Sequence, residues 1–463
     1  MSTKLIVATA SKSQSSPELL IPASNLEVLK TAVIFGANAV YIGGEAFGLR
    51  AKAKNFSLKD MKEGIDFAHA HQVKVYVTAN IIAHNEDING IREYFKELQE
   101  IKPDALIIAD PGVFKIAKEV CPEIHRHIST QANNTNYETL KFWHDLGATR
   151  VVTARELSLD EIKEIRENIP LEMEIETFIH GAMCISYSGR CLLSNYMANR
   201  DANRGACTHP CRWKYSIVEE TRPGEVMPVY ENERGTFIFN SKDLCMIEYI
   251  PQLIEAGIDS FKVEGRMKNA LYVATVARTY RKAIDDYLQG IEVYQRNLSW
   301  YLEQIANCTY RQFTTGFFFG NQDENAQIYN NNTYERNFIY LGIVEKVLWD
   351  EAKPLEKAEN YSYEETRLLA DAEVDSSEEV RNREIRGVKK EWQVEIEQRN
   401  KFSVGEIIEI MKPNGENIET QVLKIVNEEN EEQESAPHPQ QRLVVTLDKK
   451  ARQYDILRKK SLD

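Results

Sequence analysis

Apolar positions along the first 290 residues fall into two alternating patterns. Eight short runs carry consecutive or alternating apolar side chains and predict strands: Glu18–Ala23, Ala39–Gly44, Lys74–Asn80, Ala105–Pro111, His125–Ala132, Arg150–Glu156, Glu172–Gly181 and Ser260–Arg266. The segments between them repeat apolar residues at helical spacing, as in Asn25–Phe35, Leu58–His71, Ile88–Ile101, Tyr137–Leu146 and Leu159–Asn168. Several follow a Ser, Thr, Asp or Asn suited to an N-cap. Strands alternating with helices form βα units on a parallel sheet. Eight units predict an α/β fold closed as a (β/α)8, TIM-like barrel over residues 1–290, rather than an open doubly wound sheet. No GxGxxG or Walker loop follows any of these runs, so a nucleotide-binding reading lacks its fingerprint.

One connection breaks the rhythm. The seventh and eighth runs are separated by residues 182–259, far beyond an ordinary βα loop. Because this insertion follows a strand's C-terminal end, it is expected over the barrel face that carries chemistry. After a helix at Tyr272–Leu288, residues 291–335 are rich in Tyr, Phe, Asn and Gly and read as a wrapping segment. Residues 336–463 read as a small C-terminal β-barrel domain, with strands at Ile339–Val347, Glu391–Gln398, Ile407–Met411, Thr420–Val426 and Arg442–Leu447. The Glu-rich stretches 351–384 and 428–434 read as solvated loops.

The formal charge of -14 argues against wholesale wrapping of nucleic acid, which draws on dense Lys and Arg. Half of that charge sits in residues 351–463, where 26 acidic side chains face 19 basic ones, so a local basic site elsewhere stays open. Near the start, Leu5-Ile6-Val7-Ala8 is much too short for a signal core or a spanning helix, and the reading is a cytoplasmic protein with no membrane partner. The sequence leaves the oligomeric state open.

Cysteines change the picture. Of seven, Cys121 and Cys308 lie in helical patterns and read as small buried apolar residues, whereas Cys184, Cys191, Cys207, Cys211 and Cys245 cluster in or beside the insertion. In a reducing compartment such clustering points to a metal site more than to disulfides. Around the barrel rim, Glu45, Arg50, Asn80, Gln131, Arg155, Glu176, Lys262, Glu264 and Arg266 all fall at or just after predicted strand ends. Of these, Glu45, Asn80, Glu176 and Glu264 are candidates for catalysis, and barrel-interior ion pairing is the plain alternative for the three carboxylates. His180 closes the seventh strand as a proton donor, a substrate contact or a packing residue. Arg50, Arg155, Lys262 and Arg266 could converge on carboxylates. In the insertion, Arg190, Arg200, Arg204, Arg212 and Lys214 interleave with Tyr187, Tyr196, Trp213 and Tyr215, a mixture suited to holding an unstacked RNA base or to covering a metal centre. Tyr187 and Arg212 are the substrate contacts expected from this group. Lys449, Lys450, Arg452, Arg458, Lys459 and Lys460 make the C-terminal end basic, suited to steering a nucleic acid or simply to docking on the barrel.

The segment Glu176-Thr-Phe-Ile-His180-Gly-Ala-Met-Cys184-Ile-Ser-Tyr-Ser-Gly-Arg-Cys191, with Gly205-Ala-Cys207 beyond it, resembles the signature of the family historically called peptidase U32. Glu18-Leu-Leu-Ile-Pro-Ala-Ser-Asn-Leu-Glu, Tyr41-Ile-Gly-Gly and Lys262-Val-Glu-Gly-Arg266 resemble further segments of that family, with Ser24 where Gly is usual. Length and architecture look most like its tRNA-hydroxylating branch, which makes 5-hydroxyuridine at the wobble position using prephenate. The resemblance implies a 4Fe-4S cluster on Cys184, Cys191, Cys207 and Cys245, with Cys211 an extra thiol able to replace Cys207. It also implies prephenate, a small dicarboxylate, as co-substrate, and the tRNA anticodon loop as partner. Structural zinc is the rival for the thiols. Another oxygen-independent hydroxylase, an RNA-binding protein of the family, or a collagenase-like peptidase with a cysteine nucleophile and His180 as base are the rivals for function.

Overall fold

The computed structural model describes residues 16–48, 55–184, 186–212, 216–218, 226–228, 242–308, 312–320, 337–349 and 391–461. The described residues open with β1 (Glu18–Pro22), α1 (Leu26–Ile34), β2 (Ala39–Gly43), α2 (Leu58–Ala70), β3 (Lys74–Ala79) and α3 (Ile88–Ile101). They continue through β4 (Ala105–Ile108), α4 (Pro111–Val120), β5 (His125–Ile128), α5 (Tyr137–Leu146), β6 (Arg150–Val152), α6 (Leu159–Asn168) and β7 (Glu174–Ala182). The insertion holds α7 (Leu193–Ala198), a hairpin of β8 (Ser216–Val218) and β9 (Val226–Pro228), and β10 (Asp243–Cys245). Then come α8 (Ile250–Glu255), β11 (Ser260–Val263), α9 (Ala270–Gln289), α10 (Ile291–Ala306) and β12 (Phe313–Thr314).

Strands β1 to β7 pair in parallel in chain order, and β11 pairs with both β7 and β1, closing an eight-stranded barrel. The strands read as apolar runs because both faces are covered: Leu19, Ile21, Val40, Ile42, Val75 and Val77 meet the helices, while Leu20, Tyr41, Tyr76 and Ile107 fill the interior. Lower in the barrel a buried ion cluster replaces apolar filling. Arg150 bonds Glu18, Glu174 and Glu176, and Lys262 Nζ lies 2.6 Å from Glu176 Oε1. Burial opposes the Arg150 charge, but Glu18 above all, with Glu176, overrides it and raises its pKa well above the usual range. β10 runs antiparallel along the end of β7, with Cys245 opposite His180.

The second barrel is antiparallel. Strands β13 (Phe338–Trp349), β14 (Trp392–Glu397), β15 (Ile407–Met411), β16 (Asn417–Val426), β17 (Glu432–Gln433), β18 (Arg442–Leu447) and β19 (Ile456–Lys460) pair in the order β15-β19-β13-β14-β18-β16, closed by β15 with β16, and β17 extends the β16 edge. It is anchored to the first barrel by α1 and α9. Tyr340 Oη donates to Glu27 Oε1 at 2.9 Å, Arg399 pairs with the same carboxylate, and buried Arg278 donates to Lys412 O and Asn417 Oδ1, each at 2.9 Å.

Two expectations are refined here. The stretch 291–335, read as a wrapping segment, opens with helix α10, which packs Tyr294 and Tyr301 into the barrel's core cluster. The basic C-terminal end is largely a strand: Arg458 is buried and bonded to Glu409, and Lys459 bonds Glu406 at 2.8 Å. Arg458 is thus spent inside the domain, while Lys459 is paired at its partly exposed edge. Among the described residues no helix is long and apolar enough to cross a membrane.

Candidate active site at the barrel mouth

A cavity of about 420 Å³ opens at the C-terminal ends of the strands, roofed by the described part of the insertion. Its floor is made by Tyr41, Thr78, Ile107, Phe178 and Lys262, each pointing up from a strand. One wall is cationic. The Arg155 guanidinium stacks 3.8 Å above the Phe178 ring and donates to Ala182 O at 2.7 Å and Glu264 Oε2 at 3.3 Å. Arg266, itself buried, donates to Thr78 Oγ1 at 3.2 Å and to Asn55 Oδ1. Lys262 lines the cavity while its Nζ reaches down to Glu176, so this cation links the site to the ion cluster beneath.

The other wall is neutral. Asn80 Nδ2 donates to Ser129 Oγ at 3.2 Å, and Gln131 stands beside them on the short helical turn Thr130–Ala132 that follows β5. The strand reading had run through Ala132, which hid Ser129 and Thr130 as site residues; ending it at Ile128 puts them on the rim, where they line the cavity.

Two glycines make the geometry possible. At Gly43 a Cβ would come within 2.2 Å of the Arg266 guanidinium, so the Tyr-x-Gly-Gly segment clears the space that the arginine occupies. Gly181 has φ +101, and a Cβ there would sit 2.3 Å from Glu264 O, so only glycine lets β7 pass this close to the loop after β11.

The structure brings together Asn80, Glu264, Arg155, Lys262, Arg266, Tyr187 and three of the expected thiols, and separates others. Glu176 is fully buried beneath the cavity as an ion-pair partner. Glu45 is exposed and does not line the cavity. His180 is turned away because β7 and β11 slip register between Lys262 and Val263, so Val263 pairs with His180 rather than Ile179. That irregularity re-aims the imidazole outward against Tyr272, Tyr280 and Phe313. Burial pushes its pKa down to about 3, so it stays neutral. Arg50, Lys214, Trp213, Tyr215 and the side chains of Arg204 and Arg212 lie outside the described residues.

Cys184, Cys191, Cys207 and Cys211 all line the cavity, two of them exposed and two half-buried. Cys245 does not. Its Sγ lies 3.7 Å from Tyr280 Oη, behind β7, and burial pushes the thiol up to about 11. Four thiols around one cavity fit a cysteine-ligated iron–sulfur cluster in kind and number. Among the described residues no three His, Cys, Asp or Glu side chains gather closely enough to hold a single metal ion, so the thiols suit a larger centre better than a lone zinc. Cys121 and Cys308 are buried, as their helical contexts imply.

Residues 24–328 match Peptidase family U32, and residues 381–458 match Peptidase family U32 C-terminal domain. The chain belongs to peptidase family U32. Among relatives in this family, tRNA hydroxylation protein P1 of Bacillus subtilis is 39% identical over 96% of this chain and 94% of its own length. The tRNA hydroxylation protein P of Escherichia coli is 36% identical over 91% of each. A third U32 relative, the 23S rRNA 5-hydroxycytidine C2501 synthase of Escherichia coli, is 39% identical over 59% of this chain and 40% of its own length.

Proposed function

We propose that this chain is a cytoplasmic tRNA-modifying enzyme that converts wobble uridine to 5-hydroxyuridine, with prephenate as dicarboxylate co-substrate. The observation that carries the reading is the barrel-mouth cavity with its cationic wall of Arg155, Lys262 and Arg266, in a chain alike over nearly its whole length to tRNA hydroxylation proteins. A planar guanidinium beside an ammonium matches the charge of two carboxylates. Tyr187, 45% exposed at the rim, offers a stacking face to a base from an anticodon loop. The floor residues Phe178 and Tyr41 exclude water beneath the ligand.

Replacing the C5 hydrogen by hydroxyl oxidises the base by two electrons, so a co-substrate that gives up its hydroxyl oxygen leaves reduced by two electrons. Cys184, Cys191 and Cys207 would hold a 4Fe-4S cluster, with the fourth thiol from Cys245 once free of Tyr280 or from Cys211 already facing the cavity. When bound, such a cluster supplies an iron–thiolate centre beside the substrate. Nucleoside mass spectrometry of tRNA from a deletion strain tests the reading. Loss of 5-hydroxyuridine derivatives, restored by the gene, is expected; unchanged levels without a compensating paralogue would overturn it.

The peptidase reading fares worse on geometry. His180 faces Tyr280 across the β7 wall from Cys184, and the thiol nearest to it, Cys245, is held protonated by burial, the opposite of an activated nucleophile.

A further inference from the structure

We propose that the neutral wall of the cavity is a nucleobase subsite in which the Gln131 carboxamide reads the imide edge of uracil; the assignment rests on the RNA-hydroxylation reading. Among the described residues, three buried side-chain oxygens lining this cavity have no hydrogen-bond partner: Gln131 Oε1, Ser186 Oγ and Asn203 Oδ1. Buried polar atoms are almost always bonded, so three orphans in one cavity mark where a polar ligand belongs. Gln131 is the best placed of them, being only 9% exposed.

Its orientation is built in. The backbone N–H of Gln131 donates to Ser129 Oγ at 3.3 Å, and Thr130 Oγ1 donates to Thr153 O at 2.9 Å, fixing the turn. Its side chain lies against Gly189, where a Cβ would stand 3.3 Å from Oε1. Pressed between turn and roof, the carboxamide offers one acceptor and one donor side by side. Uracil presents the complement in N3–H and O2. Pairing there leaves C5 on the far side of the ring from the amide, free to face the wall of Arg155, Lys262 and Arg266. The cavity is thus divided by charge, neutral for the base and cationic for the dicarboxylate, and its 420 Å³ lies within the range of small-molecule pockets.

The test is fluorescence anisotropy with two anticodon stem-loop RNAs, one carrying uridine at the wobble position and one abasic there, using the full chain. Wild type is expected to prefer the uridine hairpin by about tenfold or more, the scale of a bidentate base contact. Gln131→Met should abolish that preference while leaving affinity for the abasic hairpin and for prephenate unchanged. Asn203→Leu, which removes another of the three orphan oxygens, should reduce the preference without depending on how Gln131→Met folds. A uridine preference that survives both substitutions, or prephenate binding that falls in Gln131→Met, would overturn the assignment. Product formation by wild type, read separately by mass spectrometry, distinguishes failure of the subsite from failure of the hydroxylation reading: the preference can vanish in the variant whether or not product forms.

Discussion

His180 Nδ1 lies 3.3 Å from the hydroxyl of Tyr280, on the side of β7 covered by α9. The contact predicts a structural imidazole with a defined pH signature. Its native pKa, about 3, is below the ordinary 6.5, so the unfolded chain binds the proton first. The stability it contributes is present above pH 6.5 and is lost progressively as pH falls toward 3. In His180→Asn, urea midpoints should therefore change less between pH 7 and pH 4 than in wild type. Activity at neutral pH should survive; a loss of about a hundredfold or more in kcat with normal melting is the scale of acid–base catalysis and would return His180 to the chemistry.

Glu176 is expected to matter through stability. Its carboxylate, fully buried, is shared by Lys262 at 2.6 Å and Arg150 at 3.1 Å. Glu176→Ala takes from buried Lys262 its carboxylate and from Arg150 one of three, and breaking a buried pair in this way costs about 3–5 kcal/mol. Chemical denaturation should show that loss, with Glu176→Gln milder because the amide oxygen still accepts one bond. A variant of unchanged stability that makes no product would instead place Glu176 at the reaction.

The thiols separate by position. Serine at Cys184, Cys191 or Cys207 should remove most of the iron from anaerobically purified protein, together with its brown colour, because each thiolate leaves the cavity wall. Comparing Cys211→Ser with Cys245→Ser identifies the fourth ligand: the one that loses iron is the ligand, and the other keeps wild-type content. Stoichiometric zinc with no iron in the wild-type protein would defeat the cluster altogether.

What the sequence made legible follows from local physics. The eight barrel strands stood out because parallel strands buried on both faces read as apolar runs. Helices α5 and α6 were located to the residue, since Asn136 and Ser158 cap their starts and Gly147 stops α5 in the left-handed conformation. Helix α10 was missed because it follows α9 after a single glycine, with no side-chain cap to announce it. β19 was hidden by its charges, whose partners Glu406 and Glu409 lie about fifty residues earlier in the chain. At the site, strand ends located the rim but not the aim of each side chain. A one-residue register slip turned His180 outward, and antiparallel β10, unreadable inside the long insertion, carried Cys245 behind the same wall.

The cationic wall carries the last prediction, which separates co-substrate binding from cluster binding. Arg266 is 5% exposed, bonded to Thr78 Oγ1 and Asn55 Oδ1, and lines the cavity. If it clamps a carboxylate of prephenate, Arg266→Ala removes a charge-assisted contact of roughly 1.5–3 kcal/mol. Affinity measured by calorimetry should then fall by about one to two orders of magnitude. Iron content should not move, since a guanidinium is no ligand. Thr78→Val is the control, because it deletes the support at 3.2 Å while leaving the charge, so its effect on affinity should be smaller than that of Arg266→Ala. Cys191→Ser should show the converse, losing iron and product while the folded chain still binds the dicarboxylate. If Arg266→Ala binds prephenate as wild type does, the arginine is a structural tie between β3 and the loop after β11, and the clamp must be sought in Arg155 and Lys262.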